Sequence, residues 1–160
     1  QYQFDAFEFA GDKEYTRAEL IAASPIISEI NGTEVGESIT GYSGIDSIYG
    51  LGGNDTLKGN SGDDIIYGGA GNDTFTGDHS SNRLNGGGGN DTLMGNAGDD
   101  VLIGGAGSDV ALFGYDQDQY EISEHDGATR VEYTGPGAGD GLDTLTFIEV
   151  LRFADGDFIL

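Results

Sequence analysis

Through the middle of the chain, single apolar residues recur every nine positions: Ile48, Leu57, Ile66, Phe75, Leu84, Leu93, Leu102 and Ala111. Each stands between two flanking residues, and glycine-rich stretches separate the triplets. A triplet of the form x-apolar-x predicts a short strand, with its middle side chain on one face and its neighbours on the other. A three-residue strand and a turn bury almost nothing alone, so such units must stack. Two units make one 18-residue coil with a strand on each side. The recurring apolar side chains then meet between two sheets as a narrow core, with strand neighbours about 4.8 Å apart.

From 41 to 112 the units read GYSGIDSIY, GLGGNDTLK, GNSGDDIIY, GGAGNDTFT, GDHSSNRLN, GGGGNDTLM, GNAGDDVLI and GGAGSDVAL, in one register without insertion. Position one is Gly in all eight and position four is Gly in seven. Glycines there predict a turn whose backbone other residues adopt only with strain. Position six is Asp in seven: Asp46, Asp55, Asp64, Asp73, Asp91, Asp100 and Asp109, with Asn82 the exception. Carrying the period outward puts Glu37 at position six of GTEVGESIT and Asp118 at position six of FGYDQDQYE. Both read as ends of the solenoid and as candidate metal ligands there.

The flanks follow other patterns. Thr16 followed by Glu19 resembles a capping box, which predicts a short helix over 17–23 stopped near Pro25. Alternation predicts strands over 119–124 and 129–133 around a turn at Asp126-Gly127, with a loop over 135–141. Phe4 to Ala10 aligns with Ile148 to Ala154 at an offset of 144, which suggests one module of an array. The expected organisation is an N-terminal flank over 1–31, an all-β roll over 32–121 and a capping β segment over 122–160.

Composition changes this picture in two ways. The 160 residues include 29 Asp or Glu and 6 Lys or Arg, a net charge of −23. Such a chain is unsuited to duplex nucleic acid or an anionic membrane, both of which ask for a basic surface. No apolar run approaches the ~20 residues of a spanning helix, and no cationic-then-apolar signal opens at Gln1. Without cysteine, zinc thiolate sites, disulfides and thiol catalysis are out of reach. With 36% hydrophobic residues the chain borders on disorder, yet it holds 16 Phe and Tyr and only 2 Pro.

Stacking brings position-six aspartates of units 18 residues apart next to one another. Two carboxylates about 4.8 Å apart repel by roughly 1 kcal/mol even in water, and by more when desolvated. A ladder of them needs cations. Hard oxygens from Asp and from turn carbonyls specify calcium, whose 6–8-fold shell tolerates irregular geometry better than magnesium's octahedron does. Within 41–112 there are 10 Asp and no Glu, in keeping with a short side chain in a tight turn.

These units resemble G-G-x-G-x-D-x-U-x, the calcium-binding nonapeptide of RTX proteins. The resemblance implies a right-handed parallel β-roll (a β-solenoid) holding several calcium ions, about four or more, between successive turns. It implies ligands from the position-six aspartates together with turn carbonyls drawn from Gly50, Gly52, Gly53, Gly59, Gly62, Gly68, Gly69, Gly71, Gly86, Gly87, Gly89, Gly104, Gly105 and Gly107. It further implies export by a type I secretion apparatus and folding outside the cell. By the 18-residue rule, one edge runs Asp55, Asp73, Asp91, Asp109 and makes three full sites. The other runs Asp46, Asp64, Asn82, Asp100 and has only its first pair complete, with Asp78 or Asn82 as weak substitutes.

Catalysis finds little support. The prominent carboxylates lie in the ladder, His79 and His125 are far apart, and no nucleophile triad, HExxH or phosphate loop occurs; Gly86 to Gly89 precede Asn90-Asp91 rather than a helix with Lys. Two outward faces are candidate ligand surfaces. Thr56, Thr74 and Thr92 form one hydroxyl row, although threonine also simply suits strands. Tyr49 and Tyr67, with Ile65, Val101 and Ile103, form an apolar stripe that the flanks are expected to cover. Two functions follow. One is a calcium-folded structural module that scaffolds neighbouring domains of the same polypeptide. The other is a polysaccharide-binding module, as the repeat modules of alginate C5-epimerases are.

Overall fold

The computed structural model describes residues 6–9, 13–16 and 28–160. The helix expected over 17–23 lies outside the described residues. Strand β1 (Ala6–Phe9) pairs antiparallel with β2 (Lys13–Thr16). The solenoid then begins with β3 (Ser28–Asn31) and β4 (Ser38–Thr40). It continues through β5 (Asp46–Gly52), β6 (Thr56–Lys58), β7 (Ile65–Ala70) and β8 (Thr74–Thr76). Next come β9 (Arg83–Gly88), β10 (Thr92–Met94), β11 (Val101–Ala106) and β12 (Val110–Leu112).

Odd-numbered strands from β3 to β11 stack parallel in one sheet, and even-numbered strands from β4 to β12 stack parallel in the other. The register is the 18-residue one, with Ile48 opposite Ile66 and Leu57 opposite Phe75. The result is an all-β parallel solenoid of about five coils. All eight recurring apolar residues are at most 1% exposed and form the core between the sheets. Their burial is what the alternation within each triplet requires.

Beyond β12 the period breaks. A 3-10 turn (Gln117–Gln119) leads into β13 (Tyr120–His125) and β14 (Ala128–Tyr133), an antiparallel pair about where alternation places it. Then β15 (Leu142–Thr146) returns to pair parallel with β11, and β16 (Val150–Phe153) pairs parallel with β12. Antiparallel β17 (Gly156–Ile159) ends the second sheet. The coiling therefore starts at Ser28 rather than 32, and it does not stop at 121. A sixth, partial coil follows an excursion over 113–141.

FGYDQDQYE is thus not a coil. Asp118 sits exposed in the 3-10 turn, away from the carboxylate ladder, and Tyr120 is buried in the end cap instead of the solenoid interior. The cause is the open end of the core. Phe113 packs on Phe153 at 5.2 Å and on Tyr120 at 5.3 Å, and Tyr120 meets Tyr133 at 5.4 Å. Leu145 and Leu151 of the sixth coil cover Leu102 and Ala111, and the aromatic rings close the end of the roll beside them. The 144-residue offset matches structure as well as sequence: Ala6–Phe9 and Val150–Phe153 each open an antiparallel hairpin.

Candidate metal centre

Each turn ends on its position-six residue just as the chain enters a strand, so these side chains line the two edges of the solenoid. On the first edge the Glu37 N–H donates to Asp55 Oδ1 at 2.7 Å. The N–H groups of Asp55, Asp73 and Asp91 donate in turn to Asp73, Asp91 and Asp109, each at 2.8 Å. The Asp109 N–H ends the series on Glu149 Oε2 at 2.7 Å. On the second edge the Asp46 N–H donates to Asp64 at 2.9 Å, Asp64 to Asn82 Oδ1 at 3.0 Å, and Asn82 to Asp100 at 2.7 Å. The Asp100 N–H then reaches Asp143 Oδ1 at 3.0 Å.

In six of the seven repeat aspartates the ladder occupies Oδ1 and leaves Oδ2, while Asp46, at the head of its edge, accepts the Tyr42 N–H on Oδ2 and leaves Oδ1. Oδ1 of Asp46 and Oδ2 of Asp55, Asp64, Asp73, Asp91, Asp100 and Asp109 are buried without a hydrogen-bond partner. All seven residues are at most 2% exposed. A buried polar atom left unpaired costs about 1–3 kcal/mol, and more when charged. The position-one glycines make room for these oxygens. A Cβ on Gly86 would lie 2.1 Å from Asp91 Oδ2 and 2.5 Å from the Gly104 carbonyl. Gly68 stands in the same relation to Asp73 Oδ2 and the Gly86 carbonyl, and Gly50 to Asp55 Oδ2 and the Gly68 carbonyl.

Burial drives these carboxyls upward in pKa. Asp64 and Asp91 are pushed to about 6, Asp100 to about 7 and Asp143 to about 8, in each case by desolvation first, with repulsion from neighbouring carboxylates adding to it. Asp73 and Asp109 are raised for the same reasons. No side-chain cation relieves them: the ion pairs among the described residues are Arg152–Asp157 and His125–Asp126, both off the ladder. Nor do three His, Asp or Glu side chains converge among the described residues. A cation held here must take main-chain carbonyls to complete its shell, and such hard-oxygen sets suit calcium.

Residues 40–75 and 76–111 match the family model of the RTX calcium-binding nonapeptide repeat. These residues are RTX calcium-binding repeats. No curated protein matches the chain. The RTX repeats make the roll a calcium-binding module, and its orphaned carboxylate oxygens are the feature that fits the ion.

Glu37 takes the ladder position, and its Oε2 accepts the Thr33 N–H at 2.7 Å, as Asp46 Oδ2 accepts that of Tyr42. Asp143 and Glu149 were missed because the excursion shifts the phase. The signal was present in Ala138 to Thr146, AGDGLDTLT, which repeats the unit two residues out of register. The carbonyl glycines fall in the stacked turns: a Cβ on Gly71 would meet Gly53 O at 1.7 Å, on Gly89 Gly71 O at 1.9 Å, and on Gly107 Gly89 O at 1.7 Å. Gly69, Gly87 and Gly105 stack likewise, and Gly62 lies over Gly44. Gly52 faces Glu34, while the Gly59 carbonyl lies beside Gly41.

Asn82 and Asp78 are hydrogen-bonded to each other in this turn. Asn82 turns its Nδ2 to the side where the aspartates keep their unpaired oxygen, and that nitrogen donates to Asp78 Oδ1 at 3.1 Å and to Ser80 O at 3.0 Å. Burial pushes Asp78 up, but hydrogen bonds from the Ser80 N–H, the Asn82 amide and the His79 and Gly62 backbones outweigh it and hold the carboxyl below its ordinary value. An amide thus closes by hydrogen bonding the one turn that lacks a position-six carboxylate.

The outward faces differ from each other. Ser38, Thr56, Thr74 and Thr92 stand in register across four strands, with Thr56 and Thr74 exposed. Tyr49 and Tyr67 are half-buried and stack on each other at 5.1 Å and 4°. Each ring covers a face of the other, so the pair does not offer two open faces to a flat ligand.

Proposed function

We propose that the protein is a structural module that folds on extracellular calcium, supporting export by a type I secretion apparatus and scaffolding neighbouring domains of its polypeptide. The observation that carries this reading is the set of seven buried, unpaired carboxylate oxygens. The ions would be held by Asp46, Asp55, Asp64, Asp73, Asp91, Asp100 and Asp109 with the turn carbonyls, and Glu37 would serve the first coil. RTX repeat proteins are typically secreted, and no helix among the described residues is long and apolar enough to cross a membrane. Extracellular calcium sites bind at about 10⁻⁴–10⁻³ M, so the low calcium of a cytosol would leave the chain open for export. The ladder accounts for the carboxylates without assigning them catalysis.

Circular dichroism and native mass spectrometry during calcium titration test this reading. β-structure should appear together with about four or more bound ions. A roll equally folded in chelator would overturn it. A second reading, a polysaccharide-binding module, rests on the in-register row of Ser38, Thr56, Thr74 and Thr92, of which the first three are exposed. A glycan screen in calcium that finds a ligand, with binding lost in Thr74→Val, would favour that role.

A further inference from the structure

We infer that Asp100 and Asp143 hold one more calcium between the fifth coil and the returning strand β15, and that this ion pins the excursion over 113–141 to the roll. This rests on the calcium reading above and assigns a site outside the matched repeats, which end at 111. The two carboxylates are 43 residues apart, against 18 for the pairs within the repeats, yet the local geometry is that of an ordinary pair.

The turn before β15 seats on the turn before β11 as one coil seats on the next. The Asp100 N–H donates to Asp143 Oδ1 at 3.0 Å, and the Thr144 N–H donates to Asp100 O at 2.9 Å. A Cβ on Gly141 would meet Gly98 O at 2.1 Å, close to the 1.9 Å of Gly89 over Gly71 O. Asp100 is 1% exposed and Asp143 2%. The independent sign of a ligand is Asp100 Oδ2, buried with no hydrogen-bond partner. The other acids nearby are already engaged. Asp99 Oδ1 accepts the Leu142 N–H at 3.0 Å, and Asp140 Oδ2 accepts the Gly114 N–H at 3.0 Å and the Tyr120 hydroxyl.

Those Asp140 contacts join the ion to the excursion. Gly114 is where the chain leaves the coil, and Tyr120 opens β13 inside the aromatic cap. Asp140 and Asp143 share one turn, so a cation that draws Asp143 against Asp100 fixes Asp140 under both. Without it, two buried carboxylates face each other at the base of a long excursion, and their repulsion favours letting that turn lift.

The test uses the full chain and Asp143→Asn. Asn82 already shows in this molecule that asparagine at position six keeps the ladder hydrogen bond, accepting the Asp64 N–H at 3.0 Å. In saturating calcium, Asp143→Asn should carry one ion fewer by native mass spectrometry. Amides over 113–141 should exchange about tenfold faster, while β5 to β10 stay protected. Asp100→Asn should do the same, and Asp73→Asn should lose ions without exposing 113–141. An unchanged ion count in Asp143→Asn, or a lost ion with the excursion equally protected, overturns the inference while leaving the calcium-folding reading intact. An unmodified chain that binds no calcium overturns both. An excursion no better protected in calcium than in chelator, in the unmodified chain, overturns the pinning without any substitution.

Discussion

The two edges of the roll are built from the same nine-residue unit, but only one carries an unbroken row of carboxylates. On the first edge the carboxylates run unbroken from Glu37 through Asp55, Asp73, Asp91 and Asp109 to Glu149, and the residues beside them are neutral. Asn54, Asn72 and Asn90 form a second column there, each accepting the N–H of the next coil at 2.7–2.9 Å. On the second edge Asp63 and Asp99 stand at the equivalent positions, so that edge is more acidic beside the ladder. Its ladder is broken once, at Asn82, where an amide satisfied by Asp78 and Ser80 replaces the unpaired oxygen. The difference teaches that one position accepts either an amide satisfied by hydrogen bonds or a carboxylate with one oxygen left unpaired.

The largest test removes the ion. Chelator should collapse the first edge and with it the β-structure, because its unpaired oxygens have no alternative donor. Far-ultraviolet circular dichroism reads this, and amide-exchange protection surviving only in the coil around Asn82 would sharpen the contrast between the edges. Next in size, Asp73→Ala should cost more than Asp46→Ala in calcium-dependent melting. Asp73 lies inside the unbroken ladder and borders two pairs, while Asp46 borders one. The expected gap is about 1–3 kcal/mol, the cost of one further unsatisfied buried group, and equal losses would break the distinction.

Asn82→Asp should make the edges alike. At limiting calcium the folded chain should lose about 1–3 kcal/mol, because an oxygen would face Asp78 Oδ1 and Ser80 O where a donor stood. The calcium-loaded chain should gain an ion by native mass spectrometry, and no gain would mean the hydrogen-bonded turn cannot open.

Acid should also separate the edges. The second edge holds Asp100 and Asp143, at about 7 and about 8, and Asp64, at about 6, whereas on the first edge Asp91 reaches about 6 and Asp73 and Asp109 are raised. Their folded pKa values lie above the unfolded value near 3.8, so the folded state binds protons the unfolded state does not. Stability of metal-free structure therefore rises as pH falls from about 8 toward 4, and is lost as pH rises. Calcium affinity runs the other way, since protons compete for the same oxygens. Exchange protection in chelator at pH 5 and pH 7.5 should show the second edge gaining first; a melting profile flat across that window would contradict the sign.

The smallest change concerns one residue on the first edge. Leu51 holds φ at 74° where Gly69, Gly87 and Gly105 occupy the equivalent turn position, and it is 45% exposed. Leu51→Gly should raise stability by about 1 kcal/mol in calcium, read from thermal melting, because the left-handed conformation costs a side-chain residue roughly that much.

Much of this was legible because the repeat is strictly local. A nine-residue period fixes which side chains face inward, so Ile48 through Ala111 and Asp46 through Asp109 were placed on core and edge by counting alone. Counting failed at Phe113, where the phase is interrupted by the excursion. Asp118, which fell on the count, proved to be off the ladder, while Asp143 and Glu149, which fell off it, proved to be on. The unit AGDGLDTLT carried a signal, but only pairing across the excursion ties it to the fifth coil. Residue type also does not show which way the Asn82 amide turns, and only the structure sets its Nδ2 toward Asp78 Oδ1 and Ser80 O.

The sequence by itself determined the solenoid, its core and the chemistry of its edges, since each follows from residue types repeated at one short spacing. The tertiary structure alone decided where the roll begins and ends, how its open end is closed and which carboxylate meets Asp100. Those outcomes depend on contacts between residues tens of positions apart, where a long loop costs only slightly more entropy than a short one, so chain distance gives no guide to the partner. The aromatic packing of Phe113, Tyr120 and Phe153, and the hydrogen bond from the Asp100 N–H to Asp143, made the choice.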